Sequence, residues 1–186
     1  MIRRAIVLAS SKGRRLNGQD VPAPLTKVGG VPLIKRTLQA LEQQGIQDMV
    51  IVVGYRGEEI RRSVSSDPDI SSSIIWVDNP DWHTPVVSSL VRARPHVDGP
   101  TMVLSTELVF ASDMLAPLLD RELFHYDATL LVDRKLSRVY DLGSALKVRT
   151  LGSRAVKVAQ QLDTFDAVAV GIAVVRPELL DELEEP

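Results

Sequence analysis

The sequence predicts an α/β domain of three layers, with helices flanking an open, mostly parallel sheet and one β-hairpin inserted late. Three observations carry this. Short apolar, β-branched runs recur at 4–9, 49–53, 73–77, 101–104 and 128–132. Stretches of helical periodicity separate these five, and strand–helix alternation is the pattern of right-handed parallel crossover units. After residue 140 the rhythm changes: 144–150 and 154–160 alternate polar and apolar residues around Leu151-Gly152-Ser153, which reads as an antiparallel hairpin.

The first run ends abruptly in Ser10, Ser11, Lys12, Gly13, Arg14 and Arg15. Small residues after the first strand of an open sheet let backbone N–H groups approach a phosphate, and basic side chains add positive charge. The alternative is a solvated basic turn. A polar, Pro-punctuated stretch, 17–24, leads to the Gly29-Gly30 turn. Pro32 is then placed as the first residue of a helix with Leu33, Ile34, Thr37, Leu38 and Leu41 on one face and Gly45 as its C-terminal cap. Gly54 stops the second strand, and 58–64 is a short helix with Ile60 and Val64 inward. The third strand ends in the turn-rich Asp78-Asn79-Pro80-Asp81. Thr84 and Pro85 read as cap and first residue of the next helix, carrying Val87, Leu90 and Val91. Ser112 reads as the cap of another, with Leu115, Leu118 and Leu119 inward and Asp113 at its positive end. A long apolar strand, 167–175, precedes an acidic helix beginning at Pro177.

Composition excludes several classes. The 186 residues, 45% hydrophobic and 25% charged, are those of an ordered globular chain, expected to be one domain over 1–186. A net charge of −2 supplies no electrostatic pull toward nucleic acid. Without cysteine there is no disulfide, thiolate nucleophile or Cys-based zinc site. No apolar run nears the roughly 20 residues that cross a bilayer. The start does not read as a signal peptide, so the expectation is a cytoplasmic protein with no direct membrane insertion. His83, His96 and His125 lack metal-ligand spacing and read as structural or surface residues. Trp76 and Trp82 read as core and loop packing, and Arg61, Arg62, Arg92 and Arg94 as solvated helix faces. Ser88-Ser89 lacks the G-x-S-x-G context of a hydrolase nucleophile.

Two stretches go further. L8-A-S-S-K-G-R-R-L16 followed by P22-A-P-L-T-K-V-G-G-V-P-L33 resembles the nucleotidyltransferase superfamily, whose signature is L-A-A-G-x-G-x-R-[LM], then P-K-[PA]-L, then G-x-P-L opening a helix. D78-N-P-D-W and V87-S-S-L90 resemble its base- and ribose-contacting segment. D141-L-G-S-A-L-K-V148 and V158-A-Q-Q-L162 resemble a hairpin of the sugar- and inositol-phosphate cytidylyltransferases. The resemblance implies a Rossmann-like nucleotidyltransferase fold and transfer of a nucleotidyl group from an NTP to a phosphorylated acceptor, with Mg²⁺ as cofactor. It implies nucleotide contacts at Leu8, Ala9, Ser10, Ser11, Gly13, Arg15, Ser88 and Ser89, and acceptor contacts at Lys147 and Gln160. Arg15 and Glu107 would be catalytic, with Glu107 the metal ligand.

The departures from the pattern fall on polar and charged positions. Ser10 and Ser11 replace Ala and Gly; a hydroxyl there either donates to a phosphate or obstructs it. Ala23 replaces the P-K-P lysine, and Lys27 is the nearby substitute, though it also reads as an exposed surface lysine. Glu107 replaces the Mg²⁺-binding Asp after the fourth strand and is either a ligand or an ordinary strand-end carboxylate. Gln160 replaces a second lysine, Ala169 an acid, and the chain is C-terminally short relative to the family. The main expectation is therefore a domain that binds an NTP or nucleotide sugar but has a degraded metal and phosphate site, weak or inactive as an enzyme, and senses nucleotide or supports a partner such as a membrane-embedded synthase domain. The alternative is an active Mg²⁺-dependent cytidylyl transferase acting on a phosphorylated sugar or polyol and releasing pyrophosphate. A third reading is an α/β domain with an unrelated ligand such as molybdopterin.

Overall fold

Both edges of strand β1 (Arg4–Ala9) are paired in parallel, which makes it an interior strand of its sheet. The computed structural model describes residues 2–13, 21–119 and 126–183. They fall into two compact units, one of Met1–Thr129 with Ala173–Pro186, the other of Leu130–Ile172.

In the first unit, β4 (Asp48–Val53) lies along one edge of β1 with Arg4 opposite Asp48 and Ala9 opposite Val53. Strand β6 (Thr101–Ser105) lies along the other, Leu8 opposite Ser105. Strand β5 (Ser73–Asp78) continues the parallel pairing beyond β4, and the end of β10 (Ala167–Val175) neighbours β6. Side chains alternate across a strand. Ile6, Val50, Val52 and Val77 therefore share a face, where they pack with Ala93 of α3 (Val87–Ala93), Val97, Val175 and Leu180 of α5 (Pro177–Asp181). Ala5, Val7, Met49, Ile51 and Val53 point the other way and are just as buried. The apolar sides of α1 (Leu33–Gln43) and α2 (Gly57–Ser65) supply Ile34, Leu38, Leu41, Ile60 and Val64, and Gly57 lies against Val53. Burial on both faces is why these strands read as continuous apolar runs.

The expected Gly29-Gly30 turn closes a two-residue hairpin between β2 (Lys27–Val28) and β3 (Val31–Pro32). Both glycines have positive φ, +58° and +82°, as a primed turn requires. Three helix starts differ from expectation. Pro32 precedes α1 instead of opening it, and Pro85 lies two residues before α3. Ser112 does not cap; it begins a 3-10 turn, Ser112–Leu115, that leads into α4 (Ala116–Leu119). Nor are three of the arginines merely solvated. Arg61 pairs with Asp78 across the Trp76 ring, Arg92 with Asp81, and Arg94 with Asp181.

In the second unit β8 (Lys147–Leu151) and β9 (Arg154–Ala159) form the expected hairpin, with Gly152 at φ +62°. The start of β10 pairs antiparallel with β8, and β7 (Ala128–Asp133) also pairs with β10. Asp166 holds the bend of β8 by accepting the Thr150 hydroxyl and N–H and the Arg134 guanidinium. Those contacts keep its carboxyl below the ordinary aspartate range. No helix among the described residues is long and apolar enough to cross a membrane.

Glu42, near the end of α1, accepts the N–H and hydroxyl groups of Ser71 and Ser72 at 2.6–3.3 Å. Partial burial works to raise its pKa, but these bonds outweigh it and hold the carboxyl below its ordinary value of 4.5. A carboxyl depressed by folding stabilises the protein above its unfolded pKa, and the contribution is lost as pH falls through the folded one. Glu42→Gln is therefore expected to cost about 1 kcal/mol or more at pH 7. In urea unfolding across pH the gap between variant and wild type should close below pH 4.5.

Candidate functional site

A cleft of about 300 Å³ opens at the carboxyl end of β1, within the first unit. Its floor is Leu8, Ser10, Ser11 and Lys12, the end of β1 and the turn that leaves it. Ser105 and Glu107 form one wall, because β6 runs parallel to β1 and Thr106 N–H continues the ladder to the Leu8 carbonyl at 3.2 Å. Trp82, His83, Thr84, Val86 and Ser89 form the other.

That second wall follows β5, which is separated from β1 by β4, so the chain must cross the end of β4 to reach the cleft. Gly54 permits the crossing. A Cβ on it would lie 2.4 Å from Trp82 Cβ and 3.0 Å from both the Asn79 carbonyl oxygen and Ser10 Cβ. Real side chains do not approach so closely, so glycine is required here by contact and not by φ. The Tyr55 N–H, donated to the Ser10 carbonyl at 3.0 Å, ties the same turn to the end of β4.

A buried polar chain then fixes the floor to the wall. The Asn79 amide donates to Ser88 Oγ at 3.0 Å and Ser89 Oγ at 2.9 Å, and Ser89 Oγ meets Ser10 Oγ at 3.0 Å. The Asn79 carbonyl oxygen accepts the Asp81 N–H, and Ser88 Oγ donates to the Pro85 carbonyl. All four residues are buried, so the network is satisfied internally, as buried polar groups must be. Thr84 Oγ1 donates to the Asp81 carbonyl at 2.6 Å, shaping a turn before α3 where a helix cap was expected.

The expected nucleotide contacts divide accordingly. Leu8, Ser10, Ser11 and Ser89 line the cleft, as does Glu107. Ala9 is buried, and Ser88 lies in the network beneath the cleft wall. Ser10, left open between phosphate donor and obstruction, is bonded to Ser89. Ser11 Oγ accepts the Gly13 N–H at 2.9 Å, and Gly13 has φ +78°, the left-handed conformation that the turn needs from a glycine. Arg15 and His125 lie outside the described residues. Ala23 is buried in a 3-10 turn, and the Lys27 backbone is in the exposed β2, outside the cleft lining. Lys147 and Gln160 are brought together in the second unit, where the Lys147 ammonium donates to the Gln160 carbonyl at 2.9 Å and lies 5.5 Å from the Phe165 ring centre.

Six lining residues, Lys12, Trp82, His83, Thr84, Val86 and Ser105, stand outside the nucleotide and metal contacts that the resemblance implied. Lys12 places its ammonium 5.1 Å from the Tyr55 ring centre; Tyr55 is tilted against Trp82, also at 5.1 Å; and His83 packs edge-on to Trp82. The segment D78-N-P-D-W was the available signal for the aromatic wall, since it marks where the chain turns after β5.

Among the described residues no group of three or more His, Asp or Glu is arranged to hold a metal. Glu107 is the one carboxylate among the described residues lining the cleft. A hard oxygen donor of this kind fits Mg²⁺, which is commonly held by one or two carboxylates together with substrate phosphates and water.

Residues 5–140 match the family model of the MobA-like NTP transferase domain. A bifunctional IPC transferase and DIPP synthase from Rubrobacter xylanophilus is 30% identical over 97% of this chain and 40% of its own length. One from Archaeoglobus fulgidus is 27% identical over 98% of this chain and 34% of its own. The chain thus spans less than half the length of these curated relatives. The inositol-1-phosphate CTP transferase from T. maritima superposes with a TM-score of 0.81 at 26% identity, covering 97% of this chain and 73% of that one.

If the Gly54 crossing holds the cleft together, Gly54→Ala must displace Trp82 or the Ser10 turn. The expected loss of stability is about 1–3 kcal/mol, as for overpacking elsewhere. Urea unfolding checks it, and an unchanged midpoint would count against the close approach.

Proposed function

We propose that this chain, which belongs to the family of MobA-like NTP transferase domains, is an active nucleotidyltransferase of the cytidylyl type. It takes CTP and inositol 1-phosphate, or a closely similar phosphorylated polyol, and releases pyrophosphate. One observation carries this over the degraded reading. A single cleft after β1 combines the turn of Ser10, Ser11 and Lys12 with Glu107, in a chain similar along 97% of its length to an inositol-1-phosphate CTP transferase. Similarity of 27–30% to two IPC transferases supports the same reading.

A phosphate oxygen of the acceptor attacks the α-phosphorus of CTP, a new P–O–P linkage forms, and the bond to the β-phosphate breaks so that pyrophosphate departs. The protein's task is to align these atoms and stabilise the charge spread over the transferring phosphoryl group and the leaving group. Backbone amides of the β1 turn face the phosphates. The Ser11–Gly13 contact occupies one of them, and a phosphate oxygen, a stronger acceptor than a hydroxyl, takes over that N–H when CTP binds. Ser10 is held by Ser89 and orients the turn. Arg15 adds charge to the triphosphate. Glu107 would hold Mg²⁺, which when bound neutralises phosphate charge. The resemblance assigns the acceptor's phosphate to Lys147 and Gln160. Leu8 and Val86 are apolar flanks against which the nucleoside lies.

Ala23, which places an uncharged buried side chain where the resembling families carry a lysine, favours the other reading, a domain that binds NTP without turning it over. Pyrophosphate release separates the two. Incubated with CTP, Mg²⁺ and inositol 1-phosphate, the chain is expected to release pyrophosphate, and Glu107→Ala to lower kcat about 10²- to 10³-fold. Silence across all four NTPs and a panel of sugar and polyol phosphates, from protein with an intact unfolding transition, contradicts the proposal.

A further inference from the structure

We infer that Lys12 joins Arg15 in gripping the nucleotide and takes its β- and γ-phosphates, swinging from its seat on Tyr55 to do so; this rests on the reading of the cleft as a triphosphate site. Among the described lining residues Lys12 is the one lysine or arginine. A triphosphate entering this cleft needs a cation, and the described wall otherwise offers hydroxyls, aromatic rings and the negative Glu107.

The ammonium is held in a particular way. It lies over the face of Tyr55, 5.1 Å from the ring centre, and no carboxylate among the described residues forms an ion pair with it. A cation–π contact at an exposed site is weak. A charge-assisted bond from ammonium to phosphate is stronger, so the exchange favours the bound ligand. Tyr55 is itself braced against Trp82, in the opposite wall. The ring pair keeps a flexible side chain at the mouth of the cleft by a face contact, with no carboxylate among the described residues paired to it. Lys12 also stands one residue before Gly13, whose positive φ turns the backbone around the phosphate position.

The test is titration calorimetry with CTP and with CMP, each with Mg²⁺, on wild type, Lys12→Ala and Lys12→Arg. Lys12→Ala is expected to weaken CTP about 10- to 100-fold while leaving CMP within about twofold, and Lys12→Arg to recover most of the loss. Because Lys12 is exposed, the substitution leaves the core intact, and an unchanged urea midpoint verifies that. Equal weakening of CTP and CMP, or none of either, overturns the inference. Binding of CTP is read separately from pyrophosphate release. A wild type that binds CTP but releases no pyrophosphate sinks the proposed activity while the CTP–CMP contrast still judges Lys12. A wild type that does not bind CTP overturns both.

Discussion

The cleft exists because one loop crosses one strand end without a side chain in the way. The segment after β5 can reach the turn after β1 only over Gly54, where Trp82 Cβ, the Asn79 carbonyl and Ser10 Cβ already occupy the space a Cβ would need. With the crossing made, Asn79 meets Ser88 and Ser89, and Ser89 meets Ser10. Each hydrogen bond contributes a modest net amount alone, yet leaving any member of a buried network unpaired costs its full desolvation. Serine at position 10 is thus part of the scaffold. The hydroxyl that departs from the family's small-residue loop has found a partner 79 residues away.

The division of labour in the cleft follows from the sheet. Parallel strands present their carboxyl ends together, so the turn after β1 and the turn after β6 necessarily face the same opening. One brings the backbone amides and Lys12, the other Glu107. Charge of both signs thereby meets across a space lined by hydroxyls and rings, which suits a polyanion accompanied by a divalent cation. The aromatic pair Tyr55–Trp82 links the end of β4 to the wall after β5 and serves as both brace and cation seat.

Much of the fold was legible because its signals are local. Strands buried on both faces announce themselves as apolar runs, and Gly45, Gly152 and the Gly29-Gly30 pair mark places where positive φ is needed. Helix starts were less legible. Thr84 and Ser112 carry hydroxyls suited to capping, but the Thr84 hydroxyl bonds Asp81 in a preceding turn and Ser112 falls inside a 3-10 turn. The site was half legible. Small residues and Gly13 after β1 mark a tight turn at the carboxyl end of the first strand on their own, whereas Glu107 was singled out only through the resemblance. The roles of Lys12 and Trp82 depend on the crossing over Gly54, a contact between distant segments that no local pattern encodes. The departures at positions 23, 107 and 160 together suggested a degraded site; motif positions register which side chains are lost but not how those that remain, Lys12 and Glu107 among them, are brought around one cleft.

The most direct measurement is amide hydrogen exchange with and without CTP and Mg²⁺. If the nucleotide sits where β1, β6 and the segment after β5 converge, slowed exchange should concentrate at residues 10–13, 82–89 and 105–107, with the edge hairpin β2–β3 unchanged. Slowing that misses the β1 turn, or spreads evenly over the chain, would contradict the account.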